Sequence, residues 1–196
     1  MSKAARTRTH ILEKAFDLIY RNGYQSTSID KIIEQTQVTK GAFYYHFKNK
    51  DEMGIAIIRE VIQPTLTKGL LNPMQYSKDP IAGIYTAIET KILNDEDYYV
   101  DNGCPTNNLV QEMSTVNPKF YQTLRGVLDN WMRTIEQALE AGKAAGFVRV
   151  DVQSSVVAAF IVSGYEGMKG VGKIYGKELY QSYLTQLKVY LDTLRP

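Results

Sequence analysis

Apolar residues recur at helical spacing along almost the whole chain. Leu12, Ala15, Phe16 and Ile19 fall at i, i+3, i+4 and i+7, which predicts an amphipathic helix over about residues 3–21, closed by Gly23. Ser28 is placed to cap a short helix with Ile29, Ile32 and Ile33 on one side. Gln37-Val38 interrupts the pattern, and Thr39 can cap a second short helix through Phe47, with Ala42, Phe43 and Phe47 inward. Asn49 opens a helix carrying Met53, Ile57, Ile58, Val61 and Ile62, which Pro64 is expected to kink or end near Gln63. Residues 64–79 read as a connector and residues 94–103 as a polar, acidic loop. Asp79-Pro80 and Asn117-Pro118 are cap-plus-first-turn pairs. The first opens a helix through Ile92; the second opens a long one running along Tyr121, Leu124, Leu128, Trp131, Ile135 and Leu139 to Gly142 or Gly146. Between them Pro105 starts a short helix with Leu109, Val110 and Met113. Asp151 is expected to cap a helix from Val152 to about Gly170, and the last helix covers Glu178 to Leu194. No stretch alternates at period two for long enough to require a sheet, and no internal repeat is visible. The pattern predicts an all-α protein of about nine helices.

Composition narrows the class. With 44% hydrophobic and 22% charged residues in 196, the chain is not a disordered, collagen-like or disulfide-stapled protein. Its longest apolar run, Val156 to Val162, is far short of the ~20 residues a membrane helix needs. The basic N-terminus lacks an apolar segment of the secretory kind, and the single cysteine, Cys104, fits a reducing compartment; a cytoplasmic protein is expected. The net charge of +2 conceals an asymmetry: residues 1–50 carry +5 and both histidines, and the remainder carries −3. That split suggests a basic module for a polyanion attached to a mildly acidic body.

Within the basic quarter, two short helices at about 28–35 and 39–47, joined by a turn of about three residues, have helix-turn-helix spacing. In such a unit the second helix enters the major groove of DNA. Its surface here is Thr39, Lys40, Gly41, Tyr44, Tyr45 and His46, followed by Lys48 and Lys50. Lysines neutralise phosphates, tyrosine hydroxyls donate to phosphate oxygens while their rings cover sugar or thymine methyl, and Gly41 lets backbone come close. Two adjacent tyrosines cannot both point inward, so a plain core hairpin fits poorly.

The run Thr27-Ser28-Ile29, then Val38-Thr39-Lys40-Gly41-Ala42-Phe43-Tyr44-Tyr45-His46-Phe47-Lys48-Asn49-Lys50, closely resembles the tetracycline-repressor (TetR-like) family of bacterial transcription regulators. Ala15-Phe16 and Asn22-Gly23-Tyr24 match that family's first helix and turn, and the resemblance covers about residues 8–62. It implies a helix-turn-helix domain in residues 1–50, a fourth helix at 49–63 as connector, and an effector-binding and dimerisation domain in residues 51–196. It implies a regulator of double-stranded DNA, a repressor released from a palindromic operator by a small-molecule effector. Thr39, Lys40, Gly41, Tyr44, Tyr45 and His46 match recognition-helix positions that meet DNA. Thr27 and Ser28 match the phosphate-facing start of the supporting helix, and Lys50 matches a phosphate-contacting lysine. From charge rather than motif, Lys3, Arg6 and Arg8 suggest a disordered arm along the minor groove or backbone.

In the C-terminal body Tyr180, Leu184, Leu187, Leu191 and Leu194 form a heptad-like seam, and Val157, Phe160, Ile161, Gly164, Tyr165 and Met168 form a second stripe. Each alone fits intramolecular core. Together they look like one side of a two-fold four-helix interface, which the resemblance also implies, so Val157, Ile161, Gly164, Met168, Leu184, Leu187 and Leu191 are the candidate homodimer residues. Tyr85, Met113, Phe120, Tyr121, Leu124, Leu128, Trp131 and Phe160 fit either core or a cavity wall. The resemblance favours a cavity. Asn102 to Leu109 resembles a Gly-Cys segment of one branch of the family, which adds Cys104, Asn107 and Asn108 as candidate lining. Cys104 reads as a sensor or as a small buried hydrophobe, and neighbouring acids would disfavour its thiolate.

Other chemistries fit less well. The glycines from Gly167 to Gly176 miss the dinucleotide-binding spacing and lack a βαβ context. Asp95, Glu96, Asp97 and Glu112 are the only cluster that suggests a metalloenzyme, yet Glu-x-x-His pairs, HExxH, paired CxxC and GxSxG are all missing. No metal, cofactor or enzymatic activity is expected. A regulator without a ligand, or a helical adaptor whose basic hairpin meets an acidic protein, are the remaining alternatives.

Overall fold

The computed structural model describes residues 2–93 and 100–196, and among them the regular elements are all helical. The loop expected around Asp95, Glu96 and Asp97 lies outside the described residues. Nine helices follow in chain order. They are α1 (Lys3–Asn22), α2 (Ile29–Thr36), α3 (Lys40–His46), α4 (50–75), α5 (Pro80–Leu93), α6 (Pro105–Met113), α7 (Pro118–Ala144), α8 (Ser154–Tyr175) and α9 (Lys177–Asp192).

Most boundaries follow from local chemistry. The hydroxyls of Ser28 and Thr39 accept from the N–H groups of Lys31 at 3.2 Å and Ala42 at 3.1 Å, satisfying donors that the first helical turn leaves unpaired. Asn49 caps α4 through the Glu52 N–H at 2.8 Å, and Asp79 caps α5 through Ile81 at 2.9 Å. Gly23 and Gly146 end α1 and α7 at positive φ, 86° and 77°. One expected cap differs. Asp151 pairs with Arg149 instead, and α8 begins at Ser154, continuing beyond Gly170 to Tyr175.

Pro64 does not end α4. The helix continues to Gln75 through two π turns, Ile58–Ile62 and Thr67–Leu71. Each closes at the residue before a proline: Gln63 donates to the Ile58 carbonyl and Asn72 to the Thr67 carbonyl. A proline ring presses on the carbonyl four residues back and supplies no N–H. The wider turn accommodates both defects, and the expected connector shrinks to residues 76–79.

The chain divides into two compact units, Met1–Pro64 with Pro105–Arg125, and Thr65–Cys104 with Gly126–Pro196. The first unit therefore holds more than the N-terminal helices. The Glu112 carboxylate accepts from the N–H groups of Tyr24 at 3.0 Å and Gln25 at 2.9 Å. Asn117 donates to Asp51 at 2.9 Å, and Phe120 meets the Tyr24 ring edge-on at 5.0 Å. Gly54 is the close-approach point of α4, because a Cβ there would lie 2.6 Å from Phe120 and 2.7 Å from Tyr24. The core of the second unit gathers Leu70, Ile84, Ile88, Trp131, Ile135 and Leu139 with the inner faces of α8 and α9.

Candidate nucleic-acid interface

The helix-turn-helix is built around a residue in an unusual backbone conformation. Gln37 ends α2 at φ 54°, ψ 22°, the left-handed region that turns the chain tightly into α3. Phe43 and Phe47 are buried and anchor α3 from below. The opposite face is solvent-exposed: Tyr44 is 44% exposed and Tyr45 77%, so both tyrosine hydroxyls stand outward. Thr39, Lys40 and Gly41 are also exposed, and no atom lies within 4 Å of where a Gly41 Cβ would be. His46 is half-buried, with its ring against Tyr45 at 4.9 Å. Lys40 has only a long, exposed pairing with Asp30 at 3.7 Å, too weak to hold it back from phosphate. Ser28 is exposed at the start of α2.

Three residues expected at the interface do something else. Thr27 is 1% exposed and its hydroxyl donates to the Gly23 carbonyl at 2.8 Å, so it shapes the turn before α2 and offers no side chain to phosphate. The Lys50 ammonium donates to the carbonyls of Tyr24 at 2.9 Å, Thr27 at 3.0 Å and Gln25 at 3.5 Å, and lies 4.5 Å from the Tyr24 ring. All three of its N–H bonds are thus committed to the turn, and partial burial lowers its pKa. Arg8 belongs to helix α1, not to a disordered arm: Ser2 caps that helix, while Arg8 pairs with Glu60 and lies 4.4 Å from the Phe47 ring centre. Lys3 and Arg6 remain exposed in the first turns of α1.

The clamp around Lys50 keeps this unit in register. Tyr24 donates to Asp51 at 2.6 Å, and burial beside that carboxylate raises the phenol pKa well above its ordinary value. Glu112, one of the acids considered for a metal, instead holds the 24–25 backbone. None of these groups showed itself in the local sequence. The only hint was a lysine directly after the Asn49 cap, which read equally as a phosphate contact.

The residues expected to line a ligand cavity fall in both units. Asn107, Met113, Tyr121 and Leu124 belong to the first, and Tyr85, Cys104, Trp131 and Phe160 to the second. Tyr121 at 49% exposure and Phe160 at 56% lie on the outer surface, because the inward stripes of α7 and α8 pass through their neighbours. Tyr85 donates to Glu89 at 2.9 Å, and Asn107 accepts from Gln111 at 3.4 Å. Met113 and Leu124 are buried. Buried Trp131 and partly exposed Cys104 lie at the edges of a polar cluster. The Cys104 thiol lies 3.3 Å from Glu166, and burial pushes that carboxyl up to about 7 against the opposing effects of the thiol and Lys169. Lys169 is 3% exposed, its ammonium 4.9 Å from the Tyr180 ring and 5.8 Å from the Tyr165 ring, while Trp131 meets Tyr165 edge-on at 5.0 Å. The Trp131 Nε1 and the Tyr180 hydroxyl are buried without a hydrogen-bond partner among the described residues.

The candidate dimer residues need the largest correction. Val157, Ile161, Met168, Leu184, Leu187 and Leu191 are all at most 5% exposed within one chain, where they form the core of the second unit. Gly164 faces the Tyr183 ring of the same chain, 3.2 Å from its would-be Cβ. Helices α8 and α9 pack on each other and exhaust these faces. A second stripe of α8, Val156, Phe160, Ser163, Gly167, Val171 and Ile174, also runs at helical spacing and is exposed throughout. Val189 on α9 is exposed as well, and Tyr190 packs on Phe160 at 4.7 Å.

Comparison with known proteins agrees with this geometry. Residues 11–57 match the family described as bacterial regulatory proteins, tetR family, and residues 80–186 match the tetracyclin repressor-like C-terminal domain. An HTH-type transcriptional regulator in the lacX 3′ region of Lactococcus lactis subsp. lactis is 33% identical over 142 residues, 69% of each chain. The HTH-type transcriptional repressor DhaR of Mycobacterium sp. (strain GP1) is 23% identical over 167 residues, 82% of this chain and 79% of that protein. The solved structure of a TetR-family regulator from Cytophaga hutchinsonii superimposes with a TM-score of 0.89 at 19% identity, over 100% of this chain and 98% of that one. With a recognition helix exposed as such regulators require and family matches over both halves, the chain belongs to the tetracycline-repressor family of DNA-binding transcriptional regulators.

Proposed function

We propose that the chain is a cytoplasmic repressor that binds a palindromic operator as a homodimer and is released by a small-molecule effector. In this reading residues 1–50 recognise DNA, through Ser28, Thr39, Lys40, Gly41, Tyr44, Tyr45 and His46, and residues 51–196 provide effector binding and dimerisation. Dimerisation uses the outer stripe of α8 from Val156 to Ile174 with Val189 of α9, since the inner stripes are consumed within the chain. A dimer would present two recognition helices about one DNA turn, ~34–36 Å, apart. That DhaR is named a repressor supports the sign of the regulation.

The observation that carries the effector reading is the polar cluster of Cys104, Glu166, Lys169, Trp131 and Tyr180, where two donors have no partner. A folded domain seldom leaves such groups unsatisfied unless a ligand or water uses them. Release requires an effector that binds the DNA-free form better, typically by 1–3 kcal/mol of coupling. The run of α4 shared by the two units, with its paired π turns, is the proposed route of that coupling.

The test begins with operator selection from random DNA, followed by metabolite titration of the protein–operator complex. Trp131 is the only tryptophan, so its emission reports directly on the cluster. An effector should weaken operator binding and change Trp131 fluorescence together. Should a broad metabolite set leave operator affinity unmoved, constitutive repression becomes the better reading.

A further inference from the structure

The first unit carries a second charged surface beside the helix-turn-helix. A cleft of about 720 Å³ lies along α4 and the start of α7, bounded by Arg8 and by Lys48 and Asn49 at the end of the recognition hairpin. A neighbouring hollow of about 370 Å³ shares Ile55, Arg59 and Lys119 with it, so Arg59 and Lys119 stand on the ridge between the two.

The acids of this cleft are engaged by the chain itself. Glu60 pairs with Arg8. Asp51 accepts from Tyr24 at 2.6 Å and Asn117 at 2.9 Å, and lies in the field of Lys50. Glu52 accepts the Lys48 N–H at 3.0 Å in the first turn of α4, where the helix end favours a negative charge. The cations divide differently. Arg8 is paired, whereas Lys48, Arg59 and Lys119 are exposed and have no acidic partner among the described residues. The lining thus carries four cations against three carboxylates, and three of the cations are unpaired and exposed along a wide, open cleft that begins where the recognition hairpin ends. Its width and openness suit a polymer backbone better than a small enclosed anion, and its continuity with the DNA-binding face indicates which polymer.

We propose that the DNA interface extends beyond the helix-turn-helix into this cleft, with Arg59 and Lys119 joining Lys48 as phosphate contacts. These contacts carry no sequence information; they supply affinity and fix the protein's position on the duplex. They act on any DNA, so the inference can be tested before an operator is known.

The experiment measures the salt dependence of binding to a mixed-sequence duplex of about three helical turns, for the full-length protein and for Arg59→Gln/Lys119→Gln. Each lost phosphate contact lowers the slope of log affinity against log salt by about 0.9, so the double variant should lose about 1.8 for each protomer that engages the duplex. Arg133→Gln/Lys177→Gln removes the same charge from exposed positions outside the cleft and should leave the slope within about 0.3 of the parent. Unchanged helix content and melting temperature exclude misfolding; if the glutamine pair melts early, the single variants Arg59→Gln and Lys119→Gln replace it, and each should lose about 0.9 per bound protomer. An unchanged slope in the folded glutamine variant overturns the proposal, including the case where the cleft serves an acidic protein or a small anion. An equal fall in the control pair overturns it as well, since the effect would then be one of overall charge.

Discussion

The two units differ in what they do with buried polar groups. In the first, the polar groups around α4 among the described residues are partnered: Glu112 holds the 24–25 N–H groups, Lys50 the carbonyls of 24, 25 and 27, and Asp51 ties the Tyr24 side chain to that of Asn117. The result is a tied scaffold that presents the exposed row on α3 and the cleft beside it. In the second unit the polar groups lie against each other, thiol to carboxyl and ammonium to aromatic rings, and Trp131 and Tyr180 keep donors unused. A finished network rigidifies; a partly satisfied one is expensive unless something else completes it. The difference separates a unit whose buried polar groups are completed from one whose cluster leaves donors unpaired, as the proposed effector response requires.

The sharpest way to break this comparison is through two helical glycines. A Cβ on Gly54 would meet two aromatic rings at 2.6 and 2.7 Å, one of them fixed by the Tyr24–Asp51 hydrogen bond, whereas nothing lies within 4 Å of Gly126 on α7. Gly54→Ala should therefore cost about 3 kcal/mol of unfolding free energy by overpacking. Gly126→Ala should be neutral or gain up to about 1 kcal/mol from helix propensity. Urea denaturation measures both. Equal effects would mean that the first unit is not tightly closed around α4.

Lys50→Met tests whether the clamp or a phosphate is the lysine's partner. Methionine keeps the stem against Tyr24 but removes the donors to three carbonyls, and about 2 kcal/mol of stability should go with them. Measured where the variant is still folded, the salt slope of DNA binding should not change. A fall of about one would show that the ammonium reaches phosphate after all.

These contrasts also show which features the sequence makes legible. Caps are local, so Ser28, Thr39, Asn49, Asp79 and Asn117 all fall where the pattern predicts, and the helix-turn-helix follows from them. Lys50 was legible as a charge but not as a clamp, because its acceptors lie more than 20 residues earlier in the chain. Pro64 looks like a stop signal, since a stretch of sequence does not announce the π turn that absorbs a proline. On α8 the difficulty is different. Val156 and Val157 are chemically identical, and the helix carries two apolar stripes, so periodicity alone cannot say which stripe is inside. The aromatic rings of Tyr180 and Tyr183 on α9, pressed against Gly172 and Gly164, decide it. Periodicity marks the apolar helices, but only packing identifies which face of each is left exposed.

A pH dependence is expected in the second unit, centred on Glu166. Burial raises the Glu166 carboxyl from its ordinary value of 4.5 to about 7, with the Cys104 hydrogen bond and the Lys169 charge opposing. Between those two pH values the folded chain holds a proton at this site that the unfolded chain has lost. The stability it contributes is thus complete below about pH 4.5 and is lost as pH rises through about 7. The slope approaches, at most, about 1.4 kcal/mol per pH unit. Glu166→Gln cannot ionise, so stability relative to the parent should rise from about pH 5 to about pH 7 and level off above it in urea denaturation, other titrating groups cancelling in the difference. If the difference between Glu166→Gln and the parent stayed flat across that range, the uncompleted polar network assigned to the second unit would not hold.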